Sequence, residues 1–215
     1  MKARKRTNWN QAFTLFEAVI LIAVLLLLAF LLPGFMLSHQ MAARISCVNE
    51  LKQVGLAYRV WSGDNGDKYP MAVSTNQGGS MERAMAGDVV LTFQVMSNEL
   101  STPKILVCPN DAHRKSATNF TNITKANISY FVGVDAVETN ATMFLGGDRN
   151  LTTDKGLSSG LLNITTNQAV RWTSEIHKNA GNILTADGSV QQLSSSGLCE
   201  ALVKTGIATN RLAFP

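Results

Sequence analysis

The chain has 215 residues, a formal net charge of +4 and a pI near 9.1. Four of its nineteen basic side chains, Lys2, Arg4, Lys5 and Arg6, lie in the first twelve residues, where there is no acid; the other fifteen are matched by fifteen acidic ones. With no basic run and no aromatic-interleaved basic patch in the remainder, the charge belongs to the N-terminal tip and indicates no nucleic-acid partner.

After the basic tip and a polar spacer comes AFTLFEAVILIAVLLLLAFLLP. From Phe13 to Leu32 only Thr14 and Glu17 are not apolar, and at about 1.5 Å per residue this stretch is long enough for the roughly 30 Å core of a bilayer. The run is too long for a cleavable secretory signal, and GFMLSHQM after it has no clean small-residue cut site. A plain signal anchor fits the length, with the basic tip held in the cytoplasm and the rest exported. It gives no reason for Glu17, whose carboxylate costs on the order of 2–3 kcal/mol to insert and therefore points to function.

Beyond Pro33, Met41, Ile45, Val48, Leu51, Val54, Tyr58 and Trp61 recur at three- and four-residue steps, one stripe of an amphipathic helix. SGDNGDKYP stops the helix around Gly63. Asp64 and Asp67 flank Asn-Gly; a helix-ending turn explains them better than a calcium site. MERAMAGDVVLTFQVMSNEL predicts a short helix, alone or followed by a brief strand, and KILVCP a buried strand or extended run. His113 falls in a loop. ISYFVGV and TMFLGG are short strands in an Asn/Thr-rich region, whose six Asn-x-Ser/Thr sequons are chance products of composition. AVRWTSEIH reads as a strand and NILTADGSVQQL as a hairpin with a two-residue Asp187-Gly188 turn. A Ser-capped helix follows, roughly 195–205.

Cys47, Cys108 and Cys199 allow at most one intrachain disulfide. The preferred pair is Cys47 with Cys108, tying the helix to the head; the alternative is three buried, reduced thiols. No Cys/His spacing of zinc type is present, and no nucleophile elbow, H-E-x-x-H or phosphate-binding loop. The expectation is a protein that is not an enzyme.

Ala12-Phe13-Thr14-Leu15-Phe16-Glu17 resembles the processing site of type IV prepilins and type II secretion pseudopilins: a basic leader cut before a Phe, Glu at the fifth mature position, then an apolar helix. This chain has Ala12 where the family has Gly. The segment containing Cys47, Asn49, Leu51, Lys52, Gln53, Gly55, Leu56, Ala57, Asp64, Asn65, Gly66, Tyr69 and Pro70 is similar to a pseudopilin-like branch. The spacing of His177, nine residues, then Asp187-Gly188 is that branch's C-terminal signature.

The resemblance implies an α+β, pilin-like fold: a long N-terminal helix with a membrane-spanning first half, packed on a small antiparallel β-sheet head. Residues 1–12 would be the leader, 13–33 the transmembrane and filament-core helix, 34–63 its amphipathic continuation, and 64–215 the exported head. It implies cleavage between Ala12 and Phe13 by a prepilin peptidase, N-methylation, and assembly with other pilin subunits by inner-membrane machinery. Glu17 would pair with a neighbour's Phe13 amine, a head-to-tail contact of the kind that builds open filaments. The protein would sit in the bacterial inner membrane as a single-pass chain, then in a filament in the periplasm or at the cell surface. No cofactor is required; calcium in the head is an analogy without assignable ligands. His177 is expected to be structural and Asp187 a turn residue, with a strand holding them apart. The alternative is an unprocessed, membrane-anchored exported binding module.

Overall fold

The computed structural model describes the backbone of residues 14–154, 156–157 and 160–215, with side chains throughout these except at 31–41 and 157. Two compact units result, Met1–Ala42 and Ala43–Pro215. Helix α1 (Leu15–Asp64) supplies the described helix of the first and opens the second.

In the first unit, Thr14 and Glu17 form a reciprocal cap. Glu17 Oε2 accepts from the Thr14 backbone N–H and hydroxyl, both at 2.9 Å, while Thr14 Oγ1 accepts from the Glu17 N–H at 3.3 Å. Two of the helix's four orphan donors are thereby satisfied. Large side chains from Leu15 to Phe30 are exposed, Leu15 and Phe30 each at 84%.

Two expectations are corrected here. A helix with a membrane-spanning first half is not found: among the described residues no helix is long and apolar enough to cross a membrane. The apolar run with described side chains, Leu15–Phe30, covers about 24 Å at 1.5 Å per residue, short of a roughly 30 Å core. The pilin-like fold class drawn with that span, and the placement as a single-pass inner-membrane protein, fall with it.

The second unit is α+β. Its main sheet has six antiparallel strands, β1 (Tyr130–Gly133), β2 (Phe144–Asp148), β5 (Gly160–Thr165), β7 (Ala180–Thr185), β8 (Val190–Ser194) and β9 (Thr209–Phe214), in the order β5-β9-β1-β2-β7-β8. A smaller sheet orders β4 (Gly156–Leu157), β3 (Leu151–Thr153) and β6 (Val170–Trp172). Short helices α2 (Met81–Met85), α3 (Val90–Val95) and α4 (Ser97–Leu100) precede the sheet, and α5 (Ser195–Lys204) follows β8.

Strand alternation decides what each face buries. Tyr130, Val132, Leu145, Leu184 and Ala213 join one core with Cys47, Leu51, Val54, Ala57, Tyr58 and Trp61 of α1. Phe131, Phe144, Ile183, Leu212 and Phe214 join the other, with Leu198 and Leu202 of α5 and with Leu151, Val170 and Trp172 of the small sheet. Both faces of the main sheet are covered, so its central strands read as unbroken apolar runs.

Local chemistry explains the departures from the sequence. The buried stripe of α1 takes in the expected Leu51, Val54, Tyr58 and Trp61 and adds Cys47 and Ala57, whereas Ile45 is 60% exposed. Gly55 lets the helix approach β7, since a Cβ there would lie 2.7 Å from Leu184 Cδ1. KILVCP is no strand. Pro103 sits in the first turn of a 3₁₀ helix (Pro103–Leu106), where its missing N–H costs nothing. The 187–188 hairpin has a three-residue loop: Thr185 N–H donates to Ser189 O at 3.0 Å, and only Gly188 has positive φ, at 83°. That is the bulged three-residue hairpin rather than the two-residue turn. The Asn-rich region is a set of local caps, with Asn119, Asn127 and Asn140 side chains accepting from Asn122, Thr124 and Thr142 N–H groups.

Candidate functional site

Four titratable side chains meet between α1 and the main sheet. Cys47 comes from α1, and Cys108 from the turn after the 3₁₀ helix. Asp148 is the last residue of β2, and His177 lies in the loop between β6 and β7. Lys178 and Asn179 follow with φ of 53° and 63°, a backbone reversal that turns His177 back toward the core. All four are buried: Cys47, Cys108 and Asp148 are fully enclosed and His177 is 5% exposed.

His177 Nε2 lies 3.4 Å from Cys47 Sγ, 3.5 Å from Cys108 Sγ and 3.3 Å from Asp148 Oδ2. Cys47 Sγ lies 3.6 Å from Asp148 Oδ1. One ligand atom from each residue falls within 4.8 Å of all the others. Around them, Asn182 donates to Asp148 Oδ2 from its backbone N at 2.7 Å and from Nδ2 at 2.9 Å. Asn182 Oδ1 is buried without a partner. Tyr130 Oη stands 3.7 Å from Cys47 Sγ and donates to Glu50 at 3.3 Å.

The imidazole tautomer follows from these contacts. Asn182 Nδ2 is 3.1 Å from Nε2, and the Asn110 amide is 3.2 Å from Nδ1. A neutral imidazole has one N–H and one lone pair, so only one amide can donate to it. Asp148 marks the Asn182 amide nitrogen as the donor. Nε2 then carries the lone pair and faces the cluster, and Nδ1–H requires the Asn110 amide to be turned so that its oxygen takes the place of the Nδ2 that stands 3.2 Å from Nδ1.

Burial governs the charges. It pushes the Asp148 carboxyl up to about 7 against the donors of Asn182, and pulls His177 down to about 4. The Cys47 thiol is raised, first by its hydrogen bond with Cys108 and then by burial. The Cys47 thiol and the His177 imidazole are thus uncharged at neutral pH, where the Asp148 carboxyl titrates.

The expected site residues divide into four groups. Ala12 and Phe13 lie outside the described residues. Glu17 caps its own helix. Cys47 and Cys108 come together as expected, but both are free thiols rather than a disulfide. Asp187 and Gly188 form the β7–β8 turn: Asp187 Oδ1 accepts from Thr185 Oγ1 at 2.7 Å and from Ser189 N at 2.9 Å. His177 and Asp187 stand beyond opposite ends of β7 and do not meet. Sequence reasoning missed Asp148, Asn110 and Asn182; the available signal was a carboxylate closing the apolar run MFLGGD.

Comparisons with protein-family models, with curated proteins and with solved structures find no match. The chain is an antiparallel α+β unit with a buried Cys₂-Asp-His cluster, and its helix α1 begins with an apolar stretch capped by a carboxylate.

Proposed function

We propose that the chain is a structural subunit of a pilin-like filament, of the type II secretion or type IV pilus kind, processed before Phe13 by a prepilin peptidase and assembled through Glu17. The observation that carries this reading is the Leu15–Phe30 segment, apolar on every side, exposed, and headed by a single carboxylate. A helix apolar all round is buried in its working state, and an exposed apolar surface of this extent calls for a partner. Identical helices from neighbouring subunits are the occupant that the leader-like Lys2–Ala12 segment and the Phe13/Glu17 spacing favour. Their staggered, head-to-tail contacts do not close on themselves, so a filament grows.

Glu17 has two employments in this scheme. Before assembly its carboxylate caps its own helix through Thr14. After cleavage it exchanges that cap for the Phe13 ammonium of an adjacent subunit, a charge-assisted contact stronger in an apolar filament core than in water.

Glutamine separates the two roles, because Gln also serves in a capping box while carrying no charge. Co-expressed with a prepilin peptidase, the wild-type chain should begin at Phe13 by N-terminal peptide mass spectrometry and form filaments by electron microscopy. Glu17→Gln should be cleaved normally and fail to assemble. Filaments of Glu17→Gln at wild-type yield would reduce Glu17 to a helix cap and refute the pairing; an intact leader on the wild-type chain would refute the processing step.

A further inference from the structure

We infer that Cys47, Cys108, Asp148 and His177 form a closed, four-coordinate site for a divalent cation of zinc type, which clamps α1 to the sheet. Nothing in the proposed filament role requires this site, and its argument is independent of that role.

The geometry carries the inference. For a tetrahedral ion with bonds of about 2.3 Å to sulfur and about 2.0–2.1 Å to nitrogen and oxygen, ligand atoms stand about 3.5 Å apart for sulfur with nitrogen or oxygen, and about 3.3 Å apart for nitrogen with oxygen. From His177 Nε2 the two sulfurs stand at 3.4 and 3.5 Å and Asp148 Oδ2 at 3.3 Å; Cys47 Sγ lies 3.6 Å from the other carboxylate oxygen, Oδ1. The three edges that meet at Nε2 match those of that tetrahedron, and one ligand atom from each of the four residues lies within 4.8 Å of the others.

The donor set and its surroundings agree. Two thiols, an imidazole and a carboxylate are the side chains that bind zinc, and a mixed sulfur–nitrogen set at tetrahedral spacing disfavours calcium and magnesium, which take oxygen shells. Asn110 stands behind the ring, 3.2 Å from Nδ1, so that Nε2 faces the cluster, and Asn182 orients the Asp148 carboxylate through two donors. Metal-ligating histidines and carboxylates are characteristically held by such outer partners. On binding, M²⁺ displaces the protons of Cys47 and Cys108, and that of Asp148 where it is protonated, to solvent; no electron changes hands. Two thiolates and a carboxylate then leave one net negative charge with the ion. Arg44, one turn before Cys47, acts on His177 by its charge, and its buried Nε has no partner.

Because all four ligands are buried, the site is complete without water or substrate, the arrangement of a structural metal. It joins residues far apart in sequence from one helix, one strand and two loops. The ion would thus replace the disulfide expected between Cys47 and Cys108 with a wider crosslink.

The test uses the full chain, in mild detergent, stripped with a chelator under reducing conditions and titrated with Co²⁺. The expected result is one equivalent of cobalt per chain with tetrahedral d–d bands and thiolate-to-cobalt charge transfer, bleached by Zn²⁺, and a melting temperature that rises with Zn²⁺. Cys199→Ser should leave the spectrum unchanged. Asp148→Asn should weaken cobalt binding at least tenfold while circular dichroism reports the same fold. A folded wild-type chain with no cobalt–thiolate absorption and no melting response to Zn²⁺ would overturn the inference, with no appeal to variants. So would an undiminished cobalt–thiolate spectrum in Cys47→Ser/Cys108→Ser.

Discussion

Arg149→Met tests whether the wall of the cluster is held by one buried ion pair. Arg149 directly follows Asp148 and reaches Asp111 bidentately, Nε to Oδ2 at 2.7 Å and Nη2 to Oδ1 at 2.8 Å, with Nη1 on Glu175 at 3.0 Å. The two side chains are 12% and 0% exposed. Asp111 in turn closes the Cys108 turn, its N–H donating to Cys108 O at 2.8 Å. Burial pushes the Asp111 carboxyl up, yet Arg149's hydrogen bonds and charge, with Ser129, bring it below the usual value. Methionine keeps the aliphatic stem and removes the cation, leaving a buried carboxylate unpaired at a cost of about 3–5 kcal/mol. For a unit of this size about 1 kcal/mol moves Tm by roughly 2–4 °C, so the melt should fall on the order of 10 °C. The sign with pH is definite. In the wild type a depressed carboxyl contributes stability above its unfolded value, and this is lost as pH falls through the folded value. In the variant burial is opposed only by the Ser129 and His113 donors, the carboxyl rises relative to wild type, and the penalty is full at neutral pH and shrinks as Asp111 becomes protonated in both states. Urea denaturation in chelator at about pH 7 and about pH 4 reads both ends. A variant within about 0.5 kcal/mol of wild type, or a penalty independent of pH, would refute the argument.

Gly55→Ala sets helix propensity against space. Alanine gains about 1 kcal/mol in a helix, but its Cβ would meet fully buried Leu184 Cδ1 at 2.7 Å, and overpacking costs about 1–3 kcal/mol, so a net loss of about 1 kcal/mol is expected in urea melts; a stabilised variant would show that α1 can shift. Glu82 is held down to about 2 by Ser74 Oγ at 2.6 Å and Thr75 N at 2.8 Å. Its carboxyl should titrate near that value by NMR and return toward the ordinary range in Ser74→Ala. The local cap it makes should be present at neutral pH and be lost on acidification through that value.

Much of the fold was legible wherever local chemistry decided it. The helix stop is one such place. Gly66 takes φ 68°, the Asp67 N–H returns to Ser62 O at 2.9 Å, and Asn65 Nδ2 donates to Trp61 O at 2.8 Å, as Asp-Asn-Gly turns do. The Ser194 cap of α5 is another, accepting from Gly197 N at 3.2 Å. Where tertiary context decided, the sequence misled. TNRLAF shows no strong strand pattern, yet β9 pairs with both β1 and β5 because a central position supplies two sets of partners. Of the expected stripe of α1, Leu51, Val54, Tyr58 and Trp61 are buried; a count of large apolar residues leaves out the small Cys47, Gly55 and Ala57, which are buried too.

Glu17 and the cluster failed in opposite ways. Thr-x-x-Glu before an apolar run is a capping signature, and it sat in plain view beside the prepilin-like motif; the carboxylate's local partner was overlooked because a distant one was sought. The cluster had no local signature at all. Its four ligands lie on four segments, each with a sufficient bland account: a helical cysteine, a cysteine before a proline, an acid after Gly-Gly, a histidine in a loop. What argues against those accounts is energetic. A carboxylate, two thiols and an imidazole buried together lose their water, and Asn182 still leaves one amide oxygen unpaired beside them. A site selected only for packing would fill that volume with aliphatic side chains at less cost. Retaining four metal-binding groups with ligand atoms within 4.8 Å of one another makes physical sense if a cation repays their desolvation. Since all four belong to the Ala43–Pro215 unit and Glu17 to the other, loss of cobalt binding and loss of assembly should be separable in single variants.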